Sequence, residues 1–222
     1  TTGAALREDI SVRAVVVTSS HPKAFCVGAD LKERNGFSDD DLRAQRPGNR
    51  LAYRALLDLP MPTIAAVDGH ALGGGCEIAL ACDLVVAGPR ASFALPEVGV
   101  GVIPGGGGTQ LMTRRIGWSR AADLIFTARR VDGHEALRLG LADRCVDDAR
   151  GEALAIAATI AEHSPVGVRN AKAAMRGGLD LTLDEGLDLE DARWHDTAFS
   201  ADRAEGVRAF AEKRTPEWPG LG

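Results

Sequence analysis

Two glutamates, Glu77 and Glu97, stand beside runs of glycine in an otherwise apolar part of the sequence. Glu77 lies in GHALGGGCEIALACD, just after three adjacent glycines, and Glu97 precedes the glycines of FALPEVGVGVIPGGGGTQ. Glycine lets another molecule approach the main chain closely, and a helix start exposes N–H groups without an internal partner. Such a turn can stabilise negative charge on a carbonyl oxygen, and two half-buried carboxylates beside it suit proton transfer. The pattern therefore predicts acid–base chemistry next to a carbonyl group.

The glycine runs do not match the motifs that bind nucleotides. A phosphate-binding loop needs a Gly-Lys pair, and the sequence contains none. The spacings of Gly69 with Gly73–Gly75, and of Gly105–Gly108, also differ from the G-x-G-x-x-G dinucleotide fingerprint. A close-packed turn between a strand and a helix is the alternative to an anion-stabilising turn, and the glycines alone do not decide between them.

Each glutamate also has a purely structural interpretation. The helix dipole favours a carboxylate in the first turn by ~0.3–1 kcal/mol, which suits Glu77. Pro96 before Glu97 is typical of a helix start. Both residues nevertheless lie in apolar, glycine-rich sequence, where an unpaired carboxylate is costly. The pair together therefore favours a role in proton transfer.

The elements around these residues indicate an α/β body followed by helices. The β-branched run Val12–Ser19 predicts a strand that is buried on both faces. Further strand patterns are Pro62–Val67, DLVVAG and ASFAL. Helix patterns are Leu42–Leu57, Gly74–Cys82, Gly107–Arg115, a helix capped by Asp132 with Glu135 three residues on, and, after the last strand signal, Gly151–Glu162, Val166–Arg176, Thr182–Phe199 and Asp202–Lys213. The C-terminal third is thus predicted to be entirely helical.

Composition excludes several classes of function. The 222 residues carry a net charge of −5 and are 45% hydrophobic, which is typical of a globular protein and opposes a nucleic-acid surface. The four cysteines show no zinc spacing, and we expect reduced thiols, no metal and a cytoplasmic location. No apolar run reaches the ~20 residues of a membrane helix. The sequence opens on Thr1 instead of methionine, so an N-terminal segment is expected to be missing.

Four motifs in this order resemble those of the enoyl-CoA hydratase (crotonase) family. They are KAFCVGADLKE, GHALGGGCEIALACD, FALPEVGVGVIPGGGGTQ and the C-terminal DRAEGVRAFAEKRTPEWPG. The resemblance implies an α/β spiral of ββα units over residues 1–157, without the family's first strand. It also implies a helical oligomerisation region over residues 158–222, and a homo-oligomer that is a trimer or a dimer of trimers.

The resemblance also implies the site residues. The backbone N–H groups of Ala29 and Gly74 would bind the thioester oxygen of an acyl-CoA. Glu77 would activate water, and Glu97 would supply a proton to Cα, although the sequence does not settle how the two share these steps. Contacts with CoA are implied for Lys32 and Lys213, and also for Ala24, Val27, Asp30, Leu31 and Phe210. No cofactor is implied, because CoA is part of the substrate.

Several alternatives remain open at this stage. GADLKER, IPGGGGTQ and LIFTARRVDG are similar to the methylglutaconyl-CoA hydratase branch, whose substrate has an extra carboxylate that Arg34 could bind. An enoyl-CoA isomerase generally needs only the second glutamate, so the presence of Glu77 favours a hydratase. An RNA-binding member would need a lysine-rich helix, which is absent, and an inactive scaffold would not require either glutamate. The five histidines match no catalytic position, and Cys26-Val27 before GAD is expected to narrow the acyl pocket.

Overall fold

Eight short strands form two four-stranded sheets in a computed structural model that describes residues 2–221, the side chains of Thr2 and Leu31 excepted. The strands are β1 (Val15–Val17), β2 (Ala24–Cys26), β3 (Thr63–Val67), β4 (His70–Leu72), β5 (Leu84–Ala87), β6 (Ser92–Ala94), β7 (Val131–Asp132) and β8 (Arg144–Cys145). The helices are α1 (Thr2–Glu8), α2 (Leu31–Arg34), α3 (Asp39–Leu57), α4 (Gly74–Ala81), α5 (Gly108–Ile116), α6 (Trp118–Thr127), α7 (Gly133–Leu139), α8 (Ala149–Ala161), α9 (Pro165–Gly178), α10 (Leu183–Ala198) and α11 (Ala201–Glu212). A 3-10 helix covers Glu97–Val100.

Successive pairs of strands contribute to the two sheets in turn. One sheet has the order β1-β3-β5-β8 and the other β2-β4-β6-β7. Neighbours pair in parallel from β3 to β5 to β8 and from β2 to β4 to β6, whereas β6 and β7 pair antiparallel. The first three pairs of strands each add one strand to each sheet and are followed by helices, whereas in the last turn α7 lies between β7 and β8. This is the predicted spiral of ββα units.

The centre of the spiral is apolar. All five residues of β3 are buried, as are three of the four residues of β5. The core around them contains Phe93, Leu95 and Met112, all with at most 1% of their surface exposed. Strands covered on both faces read as continuous apolar runs, which is why β3 and β5 were predictable from sequence.

The prediction for the first strand was wrong in extent and burial. Val12–Ser19 was expected to be one strand buried on both faces, but β1 contains only three residues and all three are half-buried. The sheet order places β1 at an edge, with a single neighbour, whereas β3 lies inside the sheet. The sequence does not separate the edge strand β1 (VVV) from the central strand β3 (TIAAV), because both are short runs without alternating polar residues.

Contacts divide the chain into two units. The spiral unit contains Val16–Asp58 and Thr63–Ala155, and the helical unit contains the chain up to Val15, Leu59–Pro62 and everything from Ile156 on. The helices α9, α10 and α11 of the second unit lie where sequence predicted them. Their starts are capped by the side chains of Ser164, Thr182 and Ser200, and Thr182 forms a capping box with Glu185. The division at residue 157 into core and oligomerisation region stays a prediction.

Candidate active site

Glu77 is a buried carboxylate held by backbone N–H groups. It lies in the first turn of α4, and only 2% of its surface is exposed. Its Oε1 accepts hydrogen bonds from Gly106 N at 2.6 Å and from Gly108 N at 2.8 Å. The glycine run Gly105–Gly108 therefore supplies hydrogen bonds to Glu77, which follows the first glycine run. These hydrogen bonds add to the stabilisation of Glu77 by the dipole of its own helix. Two N–H donors on one oxygen fix the direction in which the carboxylate points.

The two oxygens of Glu77 have different surroundings. Both hydrogen bonds end on Oε1, whereas Oε2 accepts none within the described residues and lies, like the Tyr53 ring, close to Gly106. A β-carbon placed on Gly106 would lie 2.7 Å from Oε2 and 2.5 Å from Cε2 of the Tyr53 ring. Oε2 is therefore the oxygen that can meet a water molecule or a substrate beside the ring.

The two turns predicted to bind an oxyanion, at Gly28 and at Gly74, are in contact with each other. A β-carbon on Gly28 would lie 2.9 Å from Gly74 N and 3.2 Å from Leu72 O. Gly28 has a φ of +81° and Gly73 a φ of +53°, so both turns need glycine for their conformation as well. Within the described chain, neither Ala29 N nor Gly74 N donates a hydrogen bond to another protein group. The structure thus brings both predicted donors to one place and leaves them available.

Glu97 lies against the same turn. It is the first residue of the 3-10 helix after β6, and a β-carbon on Gly73 would lie 3.1 Å from its Oε1. Its Oε2 is buried and has no hydrogen-bond partner among the described residues. Burial raises the pKa of Glu97, and the negative charge of Glu77 raises this pKa further. Glu97 therefore binds a proton more readily than an exposed glutamate.

Tyr53 is a site residue that the sequence analysis missed. It is half-buried on α3, and a β-carbon on Gly74 would overlap its hydroxyl group. Its hydroxyl makes no hydrogen bond within the part of the chain that the structure describes. Burial and then the charge of Glu77 raise the pKa of Tyr53, so the phenol keeps its proton and is a donor. The sequence offered one signal, since this is the single tyrosine of the chain.

Two arginines lie near these groups. Arg46 of α3 donates from Nη1 to Gly105 O at 2.7 Å, across 59 residues of sequence. Arg34 of α2 has a buried Nε without a partner among the described residues. Its positive charge is close enough to Tyr53 to oppose the rise in the pKa of that phenol. Arg34 was singled out from sequence, whereas Arg46 was not.

The residues predicted to contact CoA fall in both units. In the spiral unit, Ala24 lies in β2, Val27 is 57% exposed, and Lys32 N donates to Asp30 Oδ1 at 2.8 Å next to the Gly28 turn. The side chain predicted at Leu31 lies outside the described residues.

Phe210 and Lys213 belong to the helical unit. Phe210 of α11 is 87% exposed, and Lys213 ends that helix with a φ of +54°. The role of all these residues in CoA binding stays a prediction.

Comparison with known proteins identifies the relatives of this chain. The sequence model of the enoyl-CoA hydratase/isomerase family matches residues 4–220. A probable mitochondrial enoyl-CoA hydratase 2 of Arabidopsis thaliana is 42% identical over 217 residues, covering 97% of this chain and 72% of the relative. The mitochondrial methylglutaconyl-CoA hydratase of Homo sapiens is 43% identical over 222 residues, covering 97% of this chain and 66% of the human protein.

A solved structure confirms the predicted fold class. The enoyl-CoA hydratase of Bacillus anthracis superposes with a TM-score of 0.95 at 41% identity. The match covers 98% of this chain and 85% of that one. The α/β spiral with a helical C-terminal region, expected from the motifs, is therefore the fold of this chain.

Proposed function

Because the chain belongs to the enoyl-CoA hydratase/isomerase family, we propose that it is an enoyl-CoA hydratase, a hydro-lyase that adds water across the α,β double bond of an acyl-CoA thioester. The observation that carries this proposal is the meeting of two carboxylates at one turn. Glu97 lies against Gly73, Glu77 follows three residues after Gly74, and the N–H of Gly74 makes no hydrogen bond within the described residues. Proton transfer and anion binding can therefore act on the same thioester.

The chemistry assigns one task to each group. The oxygen of water bonds to Cβ, one proton of that water passes to a carboxylate, and Cα receives a proton from the other carboxylate. Negative charge develops on the thioester oxygen as Cβ is attacked, and the N–H groups of Ala29 and Gly74 stabilise it there. Fixed donors of this kind act on the transition state more than on the substrate, and losing one typically costs ~2.7–4 kcal/mol.

The environments of the carboxylates support a division of labour. Glu77 is oriented by Gly106 and Gly108, so its Oε2 can hold and deprotonate water. Glu97 has a raised pKa and a buried oxygen that has no partner in the described part of the chain, which suits the donor of the proton to Cα. Neither step requires a metal or a redox cofactor, and we expect full activity in the presence of a chelator.

The direct test is hydration of crotonyl-CoA by the purified protein. Loss of the absorbance of the conjugated thioester, with 3-hydroxybutyryl-CoA as product, is the expected result. An unchanged absorbance, together with conversion of a 3-enoyl-CoA into its 2-enoyl isomer, would instead identify an isomerase. Binding of RNA is expected to be weak, because the net charge of −5 opposes it.

A second candidate is hydration of an enoyl group that carries its own carboxylate. The Nε of Arg34, which is buried and has no acceptor among the described residues, favours it, since an anionic acyl end would supply one. The named activity of the human relative is consistent with such a substrate. The test compares kcat/KM for glutaconyl-CoA and crotonyl-CoA in the wild type and in Arg34→Met. The candidate predicts that the wild type prefers glutaconyl-CoA and that this preference falls about tenfold in Arg34→Met. If the ratio of kcat/KM for glutaconyl-CoA to that for crotonyl-CoA is the same in both proteins, the candidate is excluded.

A further inference from the structure

The carboxylate of Glu77 depends on a backbone segment that has little stiffness of its own. Its two donors, Gly106 N and Gly108 N, belong to a run of four glycines, Gly105–Gly108. Glycine has more conformational freedom to lose on folding than any other residue. The backbone position of this run must nevertheless be fixed to within a fraction of an ångström. Its N–H groups at Gly106 and Gly108 lie 2.6 and 2.8 Å from Glu77 Oε1, and a larger shift would weaken both hydrogen bonds.

Glycine cannot be replaced in this segment to make it stiffer. A β-carbon on Gly108 would lie 3.0 Å from Glu77 Oε1 and 2.9 Å from Leu95 Cδ1. One on Gly106 would lie 2.7 Å from Glu77 Oε2. Close approach of the main chain to the carboxylate thus requires glycines, and the segment needs a tether from outside.

Arg46 binds the Gly105–Gly106 peptide unit, which donates a hydrogen bond to Glu77. Its Nη1 donates to Gly105 O at 2.7 Å, and the N–H of this same peptide group is Gly106 N, which donates to Glu77 at 2.6 Å. A cation on the carbonyl and an anion on the N–H polarise one amide in the same sense, so each hydrogen bond strengthens the other. The cation thereby acts on the carboxylate through a single peptide bond.

We propose that Arg46 is a positioning residue for Glu77, which it holds in its reactive orientation through the Gly105–Gly106 peptide. The expected effect on kcat rests on the proposed hydratase function, whereas the expected effect on the backbone of Gly105–Gly108 does not. Arg46 is exposed on α3, and a residue that acts only through Glu77 is expected to change kcat and to leave KM nearly unchanged.

The kinetic test compares Arg46→Met with two other variants. Methionine keeps an unbranched apolar stem and the helix propensity of arginine but removes the charge and the donors. We expect kcat for crotonyl-CoA to fall about tenfold, equivalent to about 1.4 kcal/mol, with KM changed by less than about twofold. Arg46→Lys, which keeps a charged donor, should recover most of the loss. Arg50→Met is the matched control, because Arg50 is exposed on the same helix and makes no hydrogen bond or ion pair within the described residues.

A second variant tests whether the effect passes through Glu77. In a Glu77→Gln background, Arg46→Met should produce no further loss of kcat, because residues that act as a unit are not additive. An equal tenfold loss in both backgrounds, or a loss that appears in KM alone, would overturn the proposal.

Hydrogen–deuterium exchange provides a readout that does not depend on catalysis. The peptide that contains Gly105–Gly108 should exchange faster in Arg46→Met than in the wild type, Arg46→Lys or Arg50→Met. Unchanged exchange in Arg46→Met would refute the tether, even in a protein that hydrates crotonyl-CoA. Faster exchange in a protein that hydrates no enoyl-CoA would support the tether and refute only the proposed function.

Discussion

At the scale of single residues, the surroundings of Glu97 disfavour the charged form of its carboxyl group. Its carboxyl group is half-buried, one oxygen has no partner among the described residues, and burial and the charge of Glu77 raise its pKa. A group whose pKa is raised by folding contributes most to stability below its unfolded pKa of about 4.3. That contribution is lost as pH rises through the higher pKa of the folded state.

Removing the charge of Glu97 should therefore stabilise the fold at neutral pH. We predict that Glu97→Gln raises the melting temperature by a few degrees at pH 7 to 8, and that the difference disappears at about pH 4, where the wild-type carboxyl is protonated. Thermal melts of both proteins across this pH range measure it. A melting temperature that is lower than that of the wild type at every pH would contradict the account of Glu97 as an unsatisfied, buried carboxyl.

Tyr53 limits the space at the turn that binds the oxyanion. A β-carbon on Gly74 would overlap its hydroxyl and would lie 3.5 Å from its Cζ and 3.4 Å from Gly28 Cα, which are ordinary contacts. We predict that Gly74→Ala lowers kcat by about 10²-fold or more, the usual cost of disturbing an oxyanion donor. Adding Tyr53→Phe should recover part of this loss, because it removes the one atom in conflict. A double variant that is as poor as Gly74→Ala would show that the main-chain conformation is the cause.

At the scale of elements, the loop before α5 is built around Glu77. A β-carbon on Gly106 would lie 2.7 Å from Glu77 Oε2 and 2.6 Å from Tyr53 Cζ. We expect Gly106→Ala to displace both side chains and to lower kcat for crotonyl-CoA by about 10²-fold, as for a displaced general base. Gly99→Ala is the matched control, since Gly99 has nothing within 4 Å of the added carbon, and it should retain wild-type activity.

Glu205 links the last helix, α11, to the C-terminal segment through an ion pair and a hydrogen bond. Glu205 is 3% exposed and accepts from Arg208, from Arg214 Nη1 at 2.6 Å and from Glu217 N at 2.8 Å. The hydrogen bonds from Arg214 and Glu217 lower the pKa of Glu205. A lowered pKa contributes stability that is complete above the unfolded pKa of about 4.3 and is lost as pH falls below it.

Glu205→Gln should therefore lower the melting temperature at pH 7, and the difference from the wild type should shrink as pH falls below about 4. Melts of the two proteins at a series of pH values provide the measurement. A difference that stays constant down to pH 3 would mean that packing, and not the charge of Glu205, accounts for the loss.

The sequence predicted the elements with a local signal and missed those without one. The helix starts at Asp132 and Thr182 were predictable because each cap is local: the Asp132 side chain accepts from Glu135 N, and Thr182 forms a capping box with Glu185. The strands β7 and β8 have only two residues each, too few for a periodic pattern. Glu77 and Glu97 were found because their glycines are neighbours in sequence. Tyr53 and Arg46 were missed because their partners at the site are 21 or more residues away and only folding brings them together.

At the scale of the whole molecule, the surface of the helical unit indicates association. Large apolar side chains on its helices are exposed, among them Leu183 at 77%, Phe199 at 81% and Phe210 at 87%. Large exposed apolar side chains are consistent with association between copies of a chain. A homotrimer or a dimer of trimers, the assembly that the family resemblance implies, stays a prediction. Sedimentation at micromolar concentration should give a mass of three or six times 23.3 kDa, and a single 23.3 kDa species would refute this prediction.

Location in the cell stays a prediction. No helix among the described residues is long and apolar enough to cross a membrane. The plant and human relatives are named as mitochondrial proteins, whereas the sequence analysis expected a cytoplasmic one.

The central claim is that Glu77 and Glu97 act together on one water and one Cα, and the kcat for crotonyl-CoA hydration in Glu77→Gln, Glu97→Gln and the double variant tests it directly. Glutamine keeps the volume and most hydrogen bonds of glutamate but cannot transfer the proton. Each single change should lower kcat about 10²–10⁴-fold, and the double variant should lose less than the product of the two losses. If both single variants remain folded and retain near-wild-type kcat, the two glutamates are only structural residues at helix starts and the account is contradicted.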